Sequence, residues 1–251
     1  MNNTANPLRY LRALLQSDFF VLIRSTRAMF ASILAPVYIL VITRNDKAQG
    51  RLGGSHFLVA LAVTMGLLSL ALVAYTLNIA RDRERGVFQR LRVTPAPTWT
   101  IMASRIIVQV IVGEVITLAV LIVSSRMNHI VLSPSEYIFT LLVALLEAAV
   151  FLSIGQALVG LVRSATTVAA AGSFLYAALL LTGLLGVSGV LGSTFQTFSK
   201  WTPVGTIMAV FQGALHQAPW DGHSWLSLLA CFGYIVIFAG IGIKWFRWDA
   251  Q

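Results

Sequence analysis

Residues 57–80 read FLVALAVTMGLLSLALVAYTLNIA, and residues 81–97 that follow them read RDRERGVFQRLRVTPAP. The first block carries no charged side chain. As a helix rising 1.5 Å per residue it is long enough to cross a hydrocarbon core about 30 Å thick. The second packs five arginines and two acids into a stretch that Pro95 and Pro97 close. An apolar run that stops abruptly at a short basic loop is the pattern of a membrane helix meeting the cytoplasmic interface. It predicts an all-α, polytopic membrane protein.

Composition agrees. The chain has 251 residues, 57% of them apolar and only 11% charged, with a mean hydropathy of +0.81. Soluble domains run at about 45–50% apolar and about 25% charged. These values exclude a water-soluble globule and a disordered chain. The net charge is +9, but a chain so poor in charge cannot build the solvated basic face of a nucleic-acid reader, so no nucleic-acid partner is expected. The single cysteine, Cys231, lies in an apolar run and reads as a small buried hydrophobe.

Working outward, six spans are predicted: 28–43 (kinked at Pro36), 57–80, 101–123, 137–162, 166–190 and 226–244. The apolar stretch 195–215 is interrupted by Lys200 and Pro203 and reads as a re-entrant or interfacial segment. All six tryptophans (Trp99, Trp201, Trp220, Trp225, Trp245 and Trp248) fall at span ends or in that broken segment, where indoles prefer to sit. Residues 7–27 place Leu8, Leu11, Leu15, Phe19 and Leu22 at steps of three and four, between Arg9, Arg12, Gln16 and Asp18. That spacing predicts a helix lying along the cytoplasmic surface, or else a cytoplasmic extension of the first span, rather than a cleavable leader. A cytoplasmic N-terminus puts 13 of the 18 basic residues inside and 5 outside, which predicts that both termini are cytoplasmic.

Within the basic loop, residues 82–91 can form about three helical turns. Val87, Phe88 and Leu91 share one side, with Arg85, Gln89 and Arg92 opposite. Two functions fit such an element: anchoring to anionic lipid, or docking an apolar knob with a charged rim into a groove on a soluble partner.

At these residues the chain resembles a known family. The run Arg83-Glu84-Arg85-Gly86, then Leu91 and Pro95, follows the second of six spans. It is similar to the permease subunits of type-2 ABC exporters, daunorubicin-resistance-like drug exporters among them. The N-terminal surface helix and the interrupted segment containing Trp201-Thr202-Pro203-Val204 match as well. The resemblance covers nearly the whole chain. It implies a single permease domain in the inner (cytoplasmic) membrane, paired with a second permease copy and gripped by two copies of a separate ATPase. The expected ATPase-coupling residues are Arg81, Asp82, Arg83, Glu84, Arg85, Gly86, Phe88 and Leu91, with Glu84, Arg85 and Gly86 in the family's own element. ATP and Mg would be bound by the ATPase and no cofactor by this chain.

What is missing fits that division of labour. No G-x-x-x-x-G-K-[ST] loop exists, because none of the three lysines (Lys47, Lys200 and Lys244) follows a glycine. The ladder Gly183, Gly186, Gly189, Gly192 lacks the strand and acid of a dinucleotide site and reads as close helix approach with a loosened outer end of the fifth span. His56, His129, His216 and His223 all map to the outside, and no metal site is expected from them. No nucleophile, metal cluster or paired acid site is visible, so the chain is not read as an enzyme.

Two carboxylates fall inside spans, Glu114 in the third and Glu147 in the fourth. Such a group costs about 2.5–3.5 kcal/mol to insert and usually faces protein or a wet cavity. They are candidates for the substrate path, or for a hydrogen-bonded strut with Gln109 or Gln156 as partner. The short first outer loop, 44–56, and the lack of a dense aromatic lining favour a small amphipathic substrate such as a drug, antibiotic or lipid-like molecule, moved out of the cytoplasm. The alternative is a proton-coupled secondary transporter using Glu114 and Glu147.

Overall fold

In the computed structural model the structure describes residues 7–24, 34, 36–42, 54–92, 97–127, 132–188, 191–215 and 219–246. The protein is all-α, with no strand among these residues. In chain order the helices are α1 (Pro7–Arg24), α2 (Ser55–Ser69), a π-helical turn (Leu70–Tyr75), α3 (Thr76–Glu84), α4 (Val87–Arg92), α5 (Thr98–Met127), α6 (Pro134–Leu161), α7 (Ala165–Ser188), α8 (Gly192–Lys200), α9 (Pro203–Ala214) and α10 (Gly222–Trp245). Five continuous stretches, His56–Glu84, Trp99–Met127, Pro134–Leu161, Ala165–Gly186 and Gly222–Trp245, are long and apolar enough to cross a bilayer. The first expected span, 28–43, lies largely outside the described residues, with 36–42 helical. The loop 44–53 also lies outside them, as do His129, His216, Gly189, Pro95 and the stretch 25–27 that was to extend the surface helix.

Local sequence sets the helix starts. Ser133 caps α6 in a reciprocal box: the Glu136 N–H donates to Ser133 Oγ at 3.4 Å and the Ser133 N–H donates to Glu136 Oε2 at 2.6 Å, with Pro134 at the first helical position. Asp221 caps α10, accepting from the Ser224 N–H at 2.9 Å. That bond, then one from the Ser224 hydroxyl, holds the Asp221 carboxyl below the usual carboxylate range. The interrupted segment is two helices, α8 and α9, separated at Trp201–Thr202, where Thr202 caps α9 ahead of Pro203. With 12 residues, α9 spans about 18 Å, too short to cross the core.

The centre of the bundle is α6, which packs against α2, α9 and α10. Val143, Ala144, Ala148, Val150, Phe151 and Val159 are buried there. The π turn inside the second span lies where two glycines let neighbours close in. A Cβ on Gly155 of α6 would meet the Ala71 carbonyl oxygen at 2.8 Å, and one on Gly172 of α7 would meet the Leu72 oxygen at 2.2 Å. The widened turn therefore presents its carbonyls to two helices that have no side chain to hold them off. Gly183 and Gly186 serve the same purpose for α7 against α8 and α9, since Cβ atoms there would strike Val204 and Ser199. The helix stays regular through both to Ser188, so close packing, and not unwinding, is the role of these two. By contrast α7 and α10 expose large apolar residues outward, Phe174, Val236 and Ile243 among them.

The ends of α3, α6 and α10 and the beginnings of α5 and α7 gather at one end of the bundle, together with α1 and α4. Arg81, Arg83, Arg85, Arg90, Arg105, Arg163 and Lys244 all belong to this end, whereas Arg126 and Lys200 belong to the other.

Candidate functional site

The expected coupling element is not one helix. The second span runs unbroken into Glu84 and then stops, because Gly86 takes φ +69°. Its N–H donates to the Arg83 carbonyl at 3.0 Å, closing the end of α3, and α4 starts afresh at Val87. Glycine adopts this left-handed conformation without a Cβ penalty, which is why the chain turns here rather than continuing through 82–91.

The last turn of α3 ties two other helices together. Arg83 is only 5% exposed. Its Nη1 donates to the Val159 carbonyl at 2.9 Å, and its Nη2 donates to the Val162 and Arg163 carbonyls, each at 2.7 Å. These are unsatisfied acceptors at the C-terminal end of α6, which has no glycine cap. The neighbouring Glu84 does the opposite job: its Oε1 accepts from the Ala165 N–H at 2.6 Å, at the first residue of α7. Cation on a helix C-terminus and anion on a helix N-terminus both complement the helix dipoles. The pair thus holds the 162–165 connection from both sides.

Phe88, expected as an apolar knob for a partner's groove, is instead fully buried and meets Phe246 edge-on at 5.8 Å. Leu91 is half-buried against the same core. The apolar side of α4 is used to seat the element on its own bundle, because packing against α10's end is available within the chain. What faces outward is Arg81, Glu84, Arg85, Gln89 and Arg90.

Asp82 faces a network the sequence reading did not identify. Arg105, in the second turn of α5, pairs with Asp82 Oδ2 through Nη1 at 2.7 Å and with Asp18 Oδ1 of α1 through Nε at 3.2 Å. The Ser104 hydroxyl adds a 2.7 Å bond to Asp18 Oδ2. Burial raises the Asp18 carboxyl above its usual range despite the pull of Arg105. The signal in the sequence was Asp18 itself, an acid on the otherwise apolar-and-basic surface helix, together with a lone arginine at the start of a span.

The two intramembrane carboxylates differ. Glu147 is completely buried in α6, and among the described residues neither carboxyl oxygen has a well-aligned hydrogen-bond partner. The Thr64 hydroxyl lies beside it and can turn either to that carboxyl or to Met208 Sδ, 3.7 Å away. Glu114, on α5, is half-buried, and its Oε1 has no partner among the described residues. The strut with Gln109 or Gln156 is not formed. Gln156 accepts from the Tyr75 hydroxyl at 2.5 Å, and Gln109 lies elsewhere, beside Arg105 and Val108 at the gathered end. Cys231 is buried, donating to Thr206 Oγ1 at 3.6 Å. No group of histidines, cysteines and acids suited to a metal occurs among the described residues. His223 stacks edge-on against Trp201 at 5.3 Å.

At the opposite end, an apolar cleft of about 670 Å³ opens between α6, α9 and α10, with Phe139, Leu142, Trp220 and Trp225 in its wall.

Against known proteins, the family model described as "ABC-2 type transporter" matches residues 9–216. The Bacillus subtilis (strain 168) protein named "Putative transport permease YvfS" is 22% identical over 233 residues, covering 91% of this chain and 90% of its own length.

Proposed function

This chain belongs to the ABC-2 type transporter family, and from that membership we propose that it is the membrane subunit of an ATP-driven exporter. The family makes it a multi-pass transport permease, a transporter and not itself an enzyme, whose kind works with a partnering ATPase subunit. Our reading goes further. Two ATPase copies carry ATP and Mg, a second copy of this chain completes the pathway, and both termini and the basic end face the cytoplasm across the inner membrane. The bias of arginines towards the gathered end supports that orientation. The substrate is small and amphipathic and leaves the cytoplasm. The wide apolar cleft beside Trp220 and Trp225 supports that class.

The observation that carries the coupling role is the Arg83–Glu84 clamp. A motor pressing on Arg85, Gln89 and Arg90 moves α4, and α4 is fixed to α10 through Phe88 and Phe246. The same displacement reaches α3, and through Arg83 and Glu84 the ends of α6 and α7. Helices transmit such a push as rigid bodies, so one contact tilts several spans between two arrangements. The test is co-purification of this chain with its ATPase, followed by ATP hydrolysis and export from the same vesicles. Glu84→Ala and Arg85→Glu are expected to keep hydrolysis but lose export. Export at the parent rate in both variants refutes the coupling role.

The unpartnered oxygens of Glu147 favour one second reading, proton-coupled transport through Glu147 and Glu114. Uptake driven by a pH gradient alone, without any ATPase and abolished by Glu147→Gln, decides for it.

A further inference from the structure

The gathered end contains a cavity of about 170 Å³, and its wall includes Asn78, Arg81, Asp82, Arg85, Arg105 and Gln109. Charge within it is unevenly spent. Asp82, together with Asp18 on the same wall, is taken by Arg105. Arg81 and Arg85 have no ion pair or hydrogen bond among the described residues, and both are exposed, so the cavity is reachable from outside the bundle. Deeper in, Gln109 is 7% exposed and its Oε1 has no partner among the described residues. A buried amide left unpaired costs free energy unless a ligand or water meets it. A half-turn of the amide presents its NH2 group at the same place. Two uncommitted guanidiniums, with one orphaned amide behind them, form a donor-rich pocket suited to a compact anion. Guanidinium forks match the oxygens of a phosphate. The room available holds a few water-sized groups, not an extended polyanion.

We infer that this cavity binds one phosphate ester group, with Arg81 and Arg85 on its outer oxygens and the Gln109 amide donating from the floor. Asn78, one turn before Arg81 on α3, supplies a further neutral donor. The phosphate belongs either to an anionic phospholipid head or to a soluble phosphorylated compound. In both cases the site bridges α3 and α5 directly above the clamp turn. It shares Arg85 with the motor reading but is tested without the motor, because the chain alone binds.

The experiment uses the full chain, delipidated in detergent and returned to phosphatidylcholine nanodiscs. Phosphatidylglycerol and inorganic phosphate are added separately. Native mass spectrometry counts retained lipid and thermal unfolding reports stabilisation. A retained phosphatidylglycerol molecule, weakened about tenfold in the double variant Arg81→Gln with Arg85→Gln, supports a lipid head. Stabilisation by inorganic phosphate that the same variant abolishes supports a soluble phosphorylated ligand. Gln109→Glu is isosteric, keeps both arginines and opposes the anion, so it is expected to weaken either form of binding at least as much. Lys244→Gln removes a positive charge at the same end without touching the cavity and is expected to leave binding unchanged. The proposal is overturned by absence of binding with both probes. Equal binding in the parent, the double variant and Gln109→Glu overturns it too, as does an equal loss in Lys244→Gln.

Discussion

Arg83 and Glu147 are both buried and ionisable, yet their surroundings make opposite demands. Arg83 has three carbonyls to satisfy and a fork of donors that reaches all of them. Arg83→Met leaves those acceptors buried without a donor, so it is expected to destabilise the protein by on the order of 3 kcal/mol. Arg83→Lys recovers only part, since an ammonium cannot reach three carbonyls as a fork does. Thermal unfolding in detergent reads both, and a Met variant as stable as the parent removes the clamp from the account. Glu147 has no well-aligned donor among the described residues, with only the Thr64 hydroxyl beside it. Glu147→Leu replaces a buried unpaired carboxyl by an apolar group of similar volume, and is expected to raise the unfolding midpoint by a few degrees. A lower midpoint shows that the carboxyl has a partner in the membrane.

At the level of helices, the breaks matter more than the spans. Gly86 has room for a side chain, with only Gln89 Oε1 at 3.4 Å from a Cβ, so any penalty there comes from φ +69°. Gly86→Ala is expected to cost about 1 kcal/mol, and Gly86→Asn less, because asparagine tolerates the left-handed region. Hydrogen exchange of residues 87–92 checks this through earlier opening of α4 in the alanine variant. Gly172 is the contrary case: its φ is ordinary, but a Cβ would sit 2.2 Å from the Leu72 oxygen. Gly172→Val is expected to push α7 off the π turn and cost several kcal/mol. Recovery as a monodisperse peak at the parent's yield contradicts that packing.

Over the molecule as a unit, the all-α membrane class and the basic end were legible because bilayer thickness and charge bias act on sequence directly. The capping of Asp221 and the interruption at Thr202-Pro203 were equally readable, being local chemistry. The turn at Gly86 was readable in principle from the glycine itself, but the amphipathic spacing of Val87, Phe88 and Leu91 suggested one helix. Unreadable were the long-range partners: Arg83 with 159–163, Glu84 with Ala165, and Asp18 with Arg105. Nothing in a side chain's own neighbourhood announces which helix end it will meet. The Asp18 link also makes the hold on α1 depend on pH. The charged and polar groups facing it are Arg105, Asp82 and the Ser104 hydroxyl. Because its folded carboxyl takes up a proton at higher pH than an unfolded one, this group's contribution to stability falls as pH rises through the interval between the two values. Acidification through that interval is therefore expected to relieve the cost of the buried charge and slow amide exchange in α1 relative to the intrinsic rate, and a rise in pH through it to speed that exchange, without unfolding the bundle. Asp18→Asn is expected to remove that pH dependence, and exchange in α1 that ignores pH in the parent contradicts it.

The hold that Arg83 and Glu84 exert on the 162–165 connection falls entirely on main-chain atoms. Side-chain identities at Val162, Arg163 and Ser164 are therefore free to drift without breaking it. A chimaera that swaps those residues for a relative's keeps the joint, provided the length of the connection is preserved, whereas inserting a single residue there misaligns carbonyls and amide together.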